Sequence, residues 1–428
     1  MGEARYETAD RAQLRWDLLD LESLLPADHR ARVVWAFAEG LDLSVLYDRI
    51  RARAGEPGRP PPDPRIMMAL WLYATLEGVG SARQVARLCE SDVAYRWLCG
   101  GVAMNYHGLS DFRVAHGDVL DGVLSESLAA MLAQGLVKLA EVALDGTKVR
   151  ASAGHGSFHR GSTLAAQEAL ARQRVAALKA ECDADPAASS RRQTAARQRA
   201  AAEVAQRAAA AQRAVEQLRA EKAERAKRDK AAADGAEPRA SLTDAQARIM
   251  RFRDGSVRAG YNIQFAVEPG SGVILAAQAT NRRNDAGLAQ PMLNEIERRS
   301  GKLPQRVLAD TSYATHDDIV ALADKQIEVY TPPTPDRSSA SAESCRKRAW
   351  RHAHEPEALR QWRARMADAA GQAIYRHRGW VETINGILKH RGLAMLPVRS
   401  LAKVHCVVLW HAIAHNLWRA HVLRTASA

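Results

Sequence analysis

The chain has 428 residues, with 61 Lys+Arg against 49 Asp+Glu, a formal net charge of +12 and a pI near 9.7. That length corresponds to two or three domains at roughly 100–200 residues each, and an apolar fraction of 47% supplies buried cores, which excludes disorder of the chain as a whole. No apolar run reaches the ~18–20 residues of a membrane span, Met1–Ala12 is too polar for a signal peptide, and five scattered cysteines (Cys89, Cys99, Cys182, Cys345, Cys406) exclude a disulfide framework and fit a reducing cytoplasm.

The first ~135 residues read as helices. Asp28–Gly40 carries Val33, Val34 and Phe37 at helical spacing, and Leu41–Ile50 continues the pattern. Gly55–Pro64 is a Pro/Gly/Arg loop before the apolar helix Ile66–Leu76. Ser81 is placed to cap Ala82–Cys89, which carries basic Arg83 and Arg87. Short helices follow at Ser91–Leu98 and Ser110–His116, and Asp118–Gln134 ends at Gly135. Short helices with basic faces suit either a DNA-binding bundle or an ordinary helical domain, and the pattern alone does not choose.

Texture changes at Leu136. Val137–Leu144 is a strand running into Asp145-Gly146-Thr147. From Ser162 to Asp234 the chain is mostly Ala, Arg, Gln, Glu and Lys, which suits two solvated helical arms broken near Pro186 and Ala187–Ser190. Gly260–Val267 and Gly272–Thr280 form a β-hairpin across a Pro-Gly-Ser-Gly turn. Then come helix Ala286–Arg299, strand Gln305–Ala309 ending at Asp310, helix His316–Lys325 and strand Ile327–Thr331. Pro335–Ala349 looks loose, and Glu355–Arg419 returns to helices interrupted at Gly392–Pro397. The order predicts a mixed α/β sheet with helices on both faces. The domains read as 1–135 (helical), 136–428 (α/β) and an insertion at 160–236.

Asp145 and Asp310 each end a strand, where ligand sites of α/β sheets cluster. Glu382 sits on a late helix within Tyr375-x2-Arg378-x3-Glu382-x6-Lys389. On a helix these four share one face: a metal-type carboxylate flanked by phosphate-type cations and a phenol. Carboxylates crowded in a cleft repel unless cations intervene, and two Mg²⁺ ions would both relieve this and serve in-line phosphoryl transfer. An exposed salt-bridged helix has the same spacing, so the pattern leaves both readings open. From Arg376 to Arg424 eight Lys/Arg accompany a single acid, Glu382, a field that favours phosphates.

Tyr-x2-Arg-x3-Glu-x6-Lys resembles the Y-R-E-K signature of DDE transposases from bacterial insertion sequences. The likeness extends along the chain. Asp145-Gly146-Thr147-Lys148 resembles that family's first-Asp motif, and Leu308-Ala309-Asp310-x-x-Tyr313 its second. Gly260-Tyr261-Asn262-x-Gln264 resembles its second strand, and Asn284-Asp285 its Asn-Asp pair. Lys389-His390-Arg391-Gly392 and Ala414-His415-Asn416-Leu417 resemble its C-terminal helices. Leu25-Pro26-x-Asp28-His29, Asp63-Pro64, Ser81-x-Arg83 and Phe112-Arg113 resemble its helical DNA-binding part. Together they are most similar to the group labelled eleven-eighty-two.

The resemblance implies an RNase H-like catalytic domain behind an all-α DNA-binding domain. It implies that Asp145, Asp310 and Glu382 bind two Mg²⁺ ions, with Mn²⁺ able to substitute. Water nicks the element end, and the freed 3′-hydroxyl attacks target DNA by direct transesterification. The implied DNA contacts are Tyr375, Arg378, Lys389, Arg391, Lys148 and Trp380 around the reaction, and Arg83, Arg87 and Arg113 in the helical part. The implied partners are double-stranded DNA, both terminal inverted repeats and target, and a second copy of the chain on DNA. No membrane is expected, and the place of action is the bacterial cytoplasm, at the nucleoid. Two departures stand out: Thr311-Ser312 replaces the usual Ala-Gly after the second Asp, and Cys345 alone stands where some relatives carry a cysteine cluster, so no zinc is expected. His411-x3-His415 has metal spacing but lies in an apolar helix and reads as packing or phosphate contact rather than zinc. A nuclease that cuts without joining, and a decayed copy that only binds DNA, are the competing readings.

Overall fold

A computed structural model describes residues 20–52, 60–184, 191–228, 236–313, 315–333 and 342–427. Met1–Ala12, the first half of the Gly55–Pro64 loop, the arm break at Pro186 and Ala187–Ser190, and the first part of Pro335–Ala349 lie outside the described residues.

After a 3₁₀ turn at Glu22–Leu24, the described residues form the α-helices α1 (Arg30–Glu39), α2 (Ser44–Asp48), α3 (Pro64–Leu76), α4 (Ala82–Ser91), α5 (Val93–Cys99), α6 (Tyr106–Ala115) and α7 (Gly117–Ala133). Their starts follow capping chemistry. The Asp63 carboxylate accepts from Arg65 N–H with Pro64 at the first position, Ser81 Oγ accepts from Gln84 N–H, and Asp92 accepts from Ala94 and Tyr95 N–H. Helix α3 is apolar all round and is buried from Met67 to Leu76, so the other helices gather about it.

The strands are β1 (Glu141–Arg150), β2 (Phe158–His159), β3 (Ala240–Ser241), β4 (Arg248–Arg251), β5 (Val257–Val267), β6 (Ile274–Thr280), β7 (Arg306–Leu308) and β8 (Glu328–Tyr330). Six of them form one sheet in the order β4-β5-β1-β7-β8, with β6 also on β5. Antiparallel pairing joins β4, β6 and β1 to β5, while β1–β7 and β7–β8 are parallel. Strand β1 starts later than its apolar run, because the Glu268 carboxylate accepts from Lys138 and Leu139 N–H at 2.6 and 2.9 Å and holds Leu139 at φ 54°. It also runs past Asp145 to Arg150, because β5 pairs with it throughout. Asp145 is therefore mid-strand rather than terminal, yet it lies beyond the last parallel pair with β7, Ala143↔Leu308.

Between β2 and β3 the chain makes two antiparallel helices, α8 (Gly161–Ala184) and α9 (Arg191–Arg228). At about 1.5 Å per residue α9 spans roughly 57 Å. Their seam is mostly alanine with Leu164, Leu178 and Val215, and at the base Leu164, Ala211, Ala214, Val215 and Ala240 form a small core separate from the main one.

Helices α10 (Ala289–Ser300) and α11 (His316–Asp324) lie near the predicted places. Helix α12 (Ala342–Ala353) stands where the chain reads as loose; AESCRKRAWRHA is rich in Ala, Glu, Lys and Arg, all good helix formers. Then come α13 (Glu357–Ala367), α14 (Ala369–Tyr375), a 3₁₀ turn Arg376–Arg378, α15 (Gly379–Leu388), a π-helical turn Lys389–Leu393 and α16 (Leu401–Ser427). Helix α16 packs on β6 and on α3, α6 and α7, so one continuous apolar core runs from Leu25 to Ala420. Among the described residues no helix is long and apolar enough to cross a membrane.

Candidate active site

Past Ala143 the edge of β1 left by β7 is open until Arg150, which bridges Met395 after the π-helical turn. Helix α15 and the turn before it cross this edge from one side, and the β6–α10 loop reaches it from the other. The result is a cavity of about 780 Å³ lined by Asp145, Glu382, Asp285, Arg378, Asn385 and Lys389, with Lys148 and the β4–β5 hairpin residues Arg251 and Arg253 at its rim.

Arg378 joins the carboxylates. Its Nη2 donates to Asp145 Oδ1 at 3.1 Å and its Nη1 to Glu382 Oε1 at 2.7 Å. Asn385, one turn along α15, donates from Nδ2 to Asp145 Oδ2 at 2.8 Å. Burial pushes the Asp145 pKa up; Arg378 and Asn385 oppose this, and the charges of Glu382 and Asp285 add to it. The Arg378 guanidinium loses some basicity to burial, but Asp145, Tyr375 and Glu382 more than restore it, so its pKa is raised. Lys389 is half-buried, and burial lowers its pKa against the attraction of Asp145. Tyr375, closing α14, has its phenol pushed up by burial. Lys148 Nζ donates to the Arg251 carbonyl at 2.9 Å.

Asp310 stands two residues past Leu308, as Asp145 stands two past Ala143, so the parallel register points both toward the same edge. Its side chain is exposed, accepts from Thr311 N–H at 2.7 Å and does not line the cavity. The turn closes by Tyr313 N–H to the Asp310 carbonyl at 2.9 Å. Among the described residues only Leu139, Gln326 and Ser400 are non-glycines with positive φ, so Thr311 and Ser312 take the place of Ala-Gly without backbone strain. The buried Tyr313 phenol has no partner; burial raises its pKa, and Asp285, Asp145 and Asp310 add to the effect.

Asp285 was legible only as half of an Asn-Asp pair. Its Oδ1 accepts from Asn262 Nδ2 at 2.7 Å and Gln264 Nε2 at 2.8 Å, both on β5. It rests on Gly146, where a Cβ would meet Asp285 Oδ1 at 2.2 Å, so glycine is required at that close approach. The side-chain oxygens of Asn262, Gln264 and Asn385 are buried without partners.

The remaining candidates lie elsewhere. Trp380 is 44% exposed on α15. Arg83 and Arg87 are exposed on α4, with Arg83 over the Tyr106 ring at 5.0 Å. Arg113 is buried, stacked on Trp71 at 4.7 Å and donating to the Gly80 carbonyl, which leaves it no outer surface for a duplex. Arg391 follows the cavity in the π-helical turn. His411 and His415 are buried, with burial lowering their pKa to about 3 and about 4; His415 Nε2 lies 2.9 Å from the Gly272 carbonyl.

Carboxylate and amide oxygens form the donor set that a hard divalent cation takes. Among the described residues no three acidic, His or Cys side chains converge closely enough to hold an ion as they stand. Arg378 occupies the middle of the Asp145–Glu382 pair and supplies the positive charge there.

Residues 226–417 match the family model of the transposase DDE domain, and residues 19–115 match that of a transposase domain (DUF772). The first match begins after Asp145, at the end of the helical insertion, and β1 rejoins it through its pairing with β5. Nothing matches among curated proteins or among solved structures. A DDE domain of this kind has an RNase H-like fold and generally depends on a divalent metal, and the mixed sheet has three strands antiparallel to β5 and two further parallel strands. With both domains in one chain, the protein is a DDE transposase, a polynucleotidyl transferase of the insertion-sequence type that acts on DNA.

Proposed function

We propose that the chain cuts the ends of its element and joins them to target DNA by direct transesterification, at the cavity of Asp145 and Glu382 with Asp310 as the third carboxylate. The bridging of Asp145 and Glu382 by Arg378, beside Lys389, carries this reading. Two Mg²⁺ ions, or Mn²⁺ in their place, would be held by the three carboxylates and supply charge stabilisation of an in-line displacement. The Asn385 amide fixes the Asp145 carboxylate, and Asp285 adds negative charge opposite α15. Arg378, freed from its carboxylates, offers two parallel N–H donors to a phosphate, while Lys389 gives a point charge. Lys148 flanks the scissile region, Arg391 would meet DNA outside it, Tyr375 supports Arg378, and exposed Trp380 is free to stack on a base. Residues 1–135 with Arg83 and Arg87 would bind the terminal repeats, and two copies would pair the ends. The motifs favour the group labelled eleven-eighty-two, and the reaction belongs to the nucleoid.

The test is strand transfer of a 3′-hydroxyl-ended terminal fragment into plasmid DNA. Asp145→Asn, Asp310→Asn and Glu382→Gln should each abolish cleavage and joining while retaining end binding. Full cleavage by Asp310→Asn would remove that residue from the reaction, and wild-type cleavage without joining would make the protein a nuclease.

A further inference from the structure

A second cavity, of about 670 Å³, lies where α3, α4 and α6 meet the π-helical turn and α16. It is separate from the carboxylates: Ser152 on its wall is seven residues beyond Asp145, roughly 20 Å at about 3.3 Å per residue. Arg83, Arg113 and Arg391 line it with His107, and no carboxylate does. None of the three guanidiniums forms an ion pair among the described residues.

Three buried nitrogens on this wall have no hydrogen-bond partner: Arg113 Nε, Arg391 Nη1 and His411 Nδ1. Arg113 is 6% exposed and His411 7%. An unsatisfied buried polar group costs about 1–3 kcal/mol. The guanidiniums of Arg83, Arg113 and Arg391 leave the wall positively charged, which fits a ligand that is anionic and rich in acceptors, while His411, its pKa lowered to about 3 by burial, stays neutral. Beside polar Ser81, Gln84, Ser110 and Ser152, the wall carries apolar and aromatic side chains, among them Val79, Met395 and Tyr106, which already carries Arg83 on its face. A bare phosphate would leave that part and most of the volume unused. A nucleotide matches both, since bases stack on aromatic and guanidinium planes and Arg takes phosphate bidentately. The volume lies within the range of about 300–1,000 Å³ usual for small-ligand sites.

We propose that this cavity binds one nucleotide unit, its phosphate on Arg83 and Arg391 and its base against Tyr106, Val79 and Met395. The unit comes either from a DNA strand or from a free nucleotide. The proposal goes beyond the strand-transfer reading and does not depend on it, because binding is measurable without metal or catalysis.

The experiment is calorimetric titration of the full-length chain, in chelator, with deoxynucleoside monophosphates, inorganic phosphate and deoxyadenosine. The monophosphates should bind at least tenfold tighter than phosphate or nucleoside. Arg83→Gln and Arg391→Gln should each weaken them tenfold or more with the thermal midpoint unchanged, and Ser110→Trp, which fills the cavity, should abolish binding. Competition by a duplex with one unpaired nucleotide, but not by a fully paired one, makes DNA the source; competition by neither makes it the free nucleotide, and both results uphold the site. No saturable monophosphate binding, or binding unchanged in both Arg→Gln variants, overturns it. Loss of strand transfer with intact nucleotide binding would fault the carboxylate assignment alone.

Discussion

Arg378 donates to Asp145 and Glu382 through different nitrogens, so a single side chain balances two acids that would otherwise repel. Burial nevertheless leaves the Asp145 pKa raised, which means desolvation outweighs the pairing. Asp145→Asn relieves that desolvation but leaves Arg378 with one carboxylate fewer, so the melting temperature in the absence of divalent cations should stay within about 2 °C of the wild type, a difference of ~1 kcal/mol, while cleavage is abolished. Thermal denaturation in chelator checks the first half, and a larger shift of the midpoint would contradict it. Asp285→Asn separates charge from shape. The Asn262 and Gln264 amides have unpartnered oxygens and can flip to accept from the new amide, so the fold should change by less than ~1 kcal/mol. Cleavage should fall about 10–100-fold, as for groups that support metal ligands; unchanged rates would leave Asp285 a structural residue. The Tyr375, Arg378, Glu382 and Lys389 set was legible because helical spacing joins it locally. The roles of Asp285, legible only as half of its Asn-Asp pair, and of Asn385 were not, because their contacts to β5 and β1 span 21 to 240 residues and depend on sheet register.

The elements most faithful to the sequence are those with local causes. Asp63-Pro64, Ser81 and the Thr315/Asp318 capping box start their helices as side-chain chemistry requires. Gly135, at φ 69°, follows α7 where a helix stop was read. Strand β1 was misjudged at both ends, since the Glu268 carboxylate and the length of β5 set its limits from afar. The arm of α8 and α9 was legible from alanine content alone. It packs on itself, with its base tied by Arg160 and Arg219 to Glu237. Replacing residues 163–226 with a short Gly/Ser linker should therefore leave the six-stranded sheet folded. Circular dichroism should lose helical signal while melting stays cooperative; loss of cooperativity would show that the arm supports the sheet.

At the scale of the whole molecule, the helical and α/β regions share one core. Trp410 Nε1 on α16 donates to the Arg113 carbonyl at 2.9 Å, and Asn416 on the same helix pairs with both backbone groups of Ile274 at 2.8 and 2.7 Å. Arg299 of α10, with a side chain 1% exposed, pairs with Asp121 of α7. Burial opposes ionisation of Asp121, but Arg299 and Arg298 outweigh it and hold its pKa below 3.8. The stabilisation is thus complete above pH 3.8 and is lost as the pH falls through the lower folded value. Asp121→Asn should cost about 3–5 kcal/mol at neutral pH and less below pH 3.8, as denaturant titrations at both pH values would show. Composition gave no sign of this union, because a texture change at Leu136 reads as a boundary whether or not side chains cross it. The π-helical turn adds a narrower tie: Gly392, at φ 98°, lies so close that a Cβ there would stand 3.3 Å from the Gly78 carbonyl. That contact has a consequence for the exchange of parts. An amino-terminal part grafted from a relative would have to match the turn after Lys389 as well as its own core, so the two regions are joined by shape and not by sequence order alone.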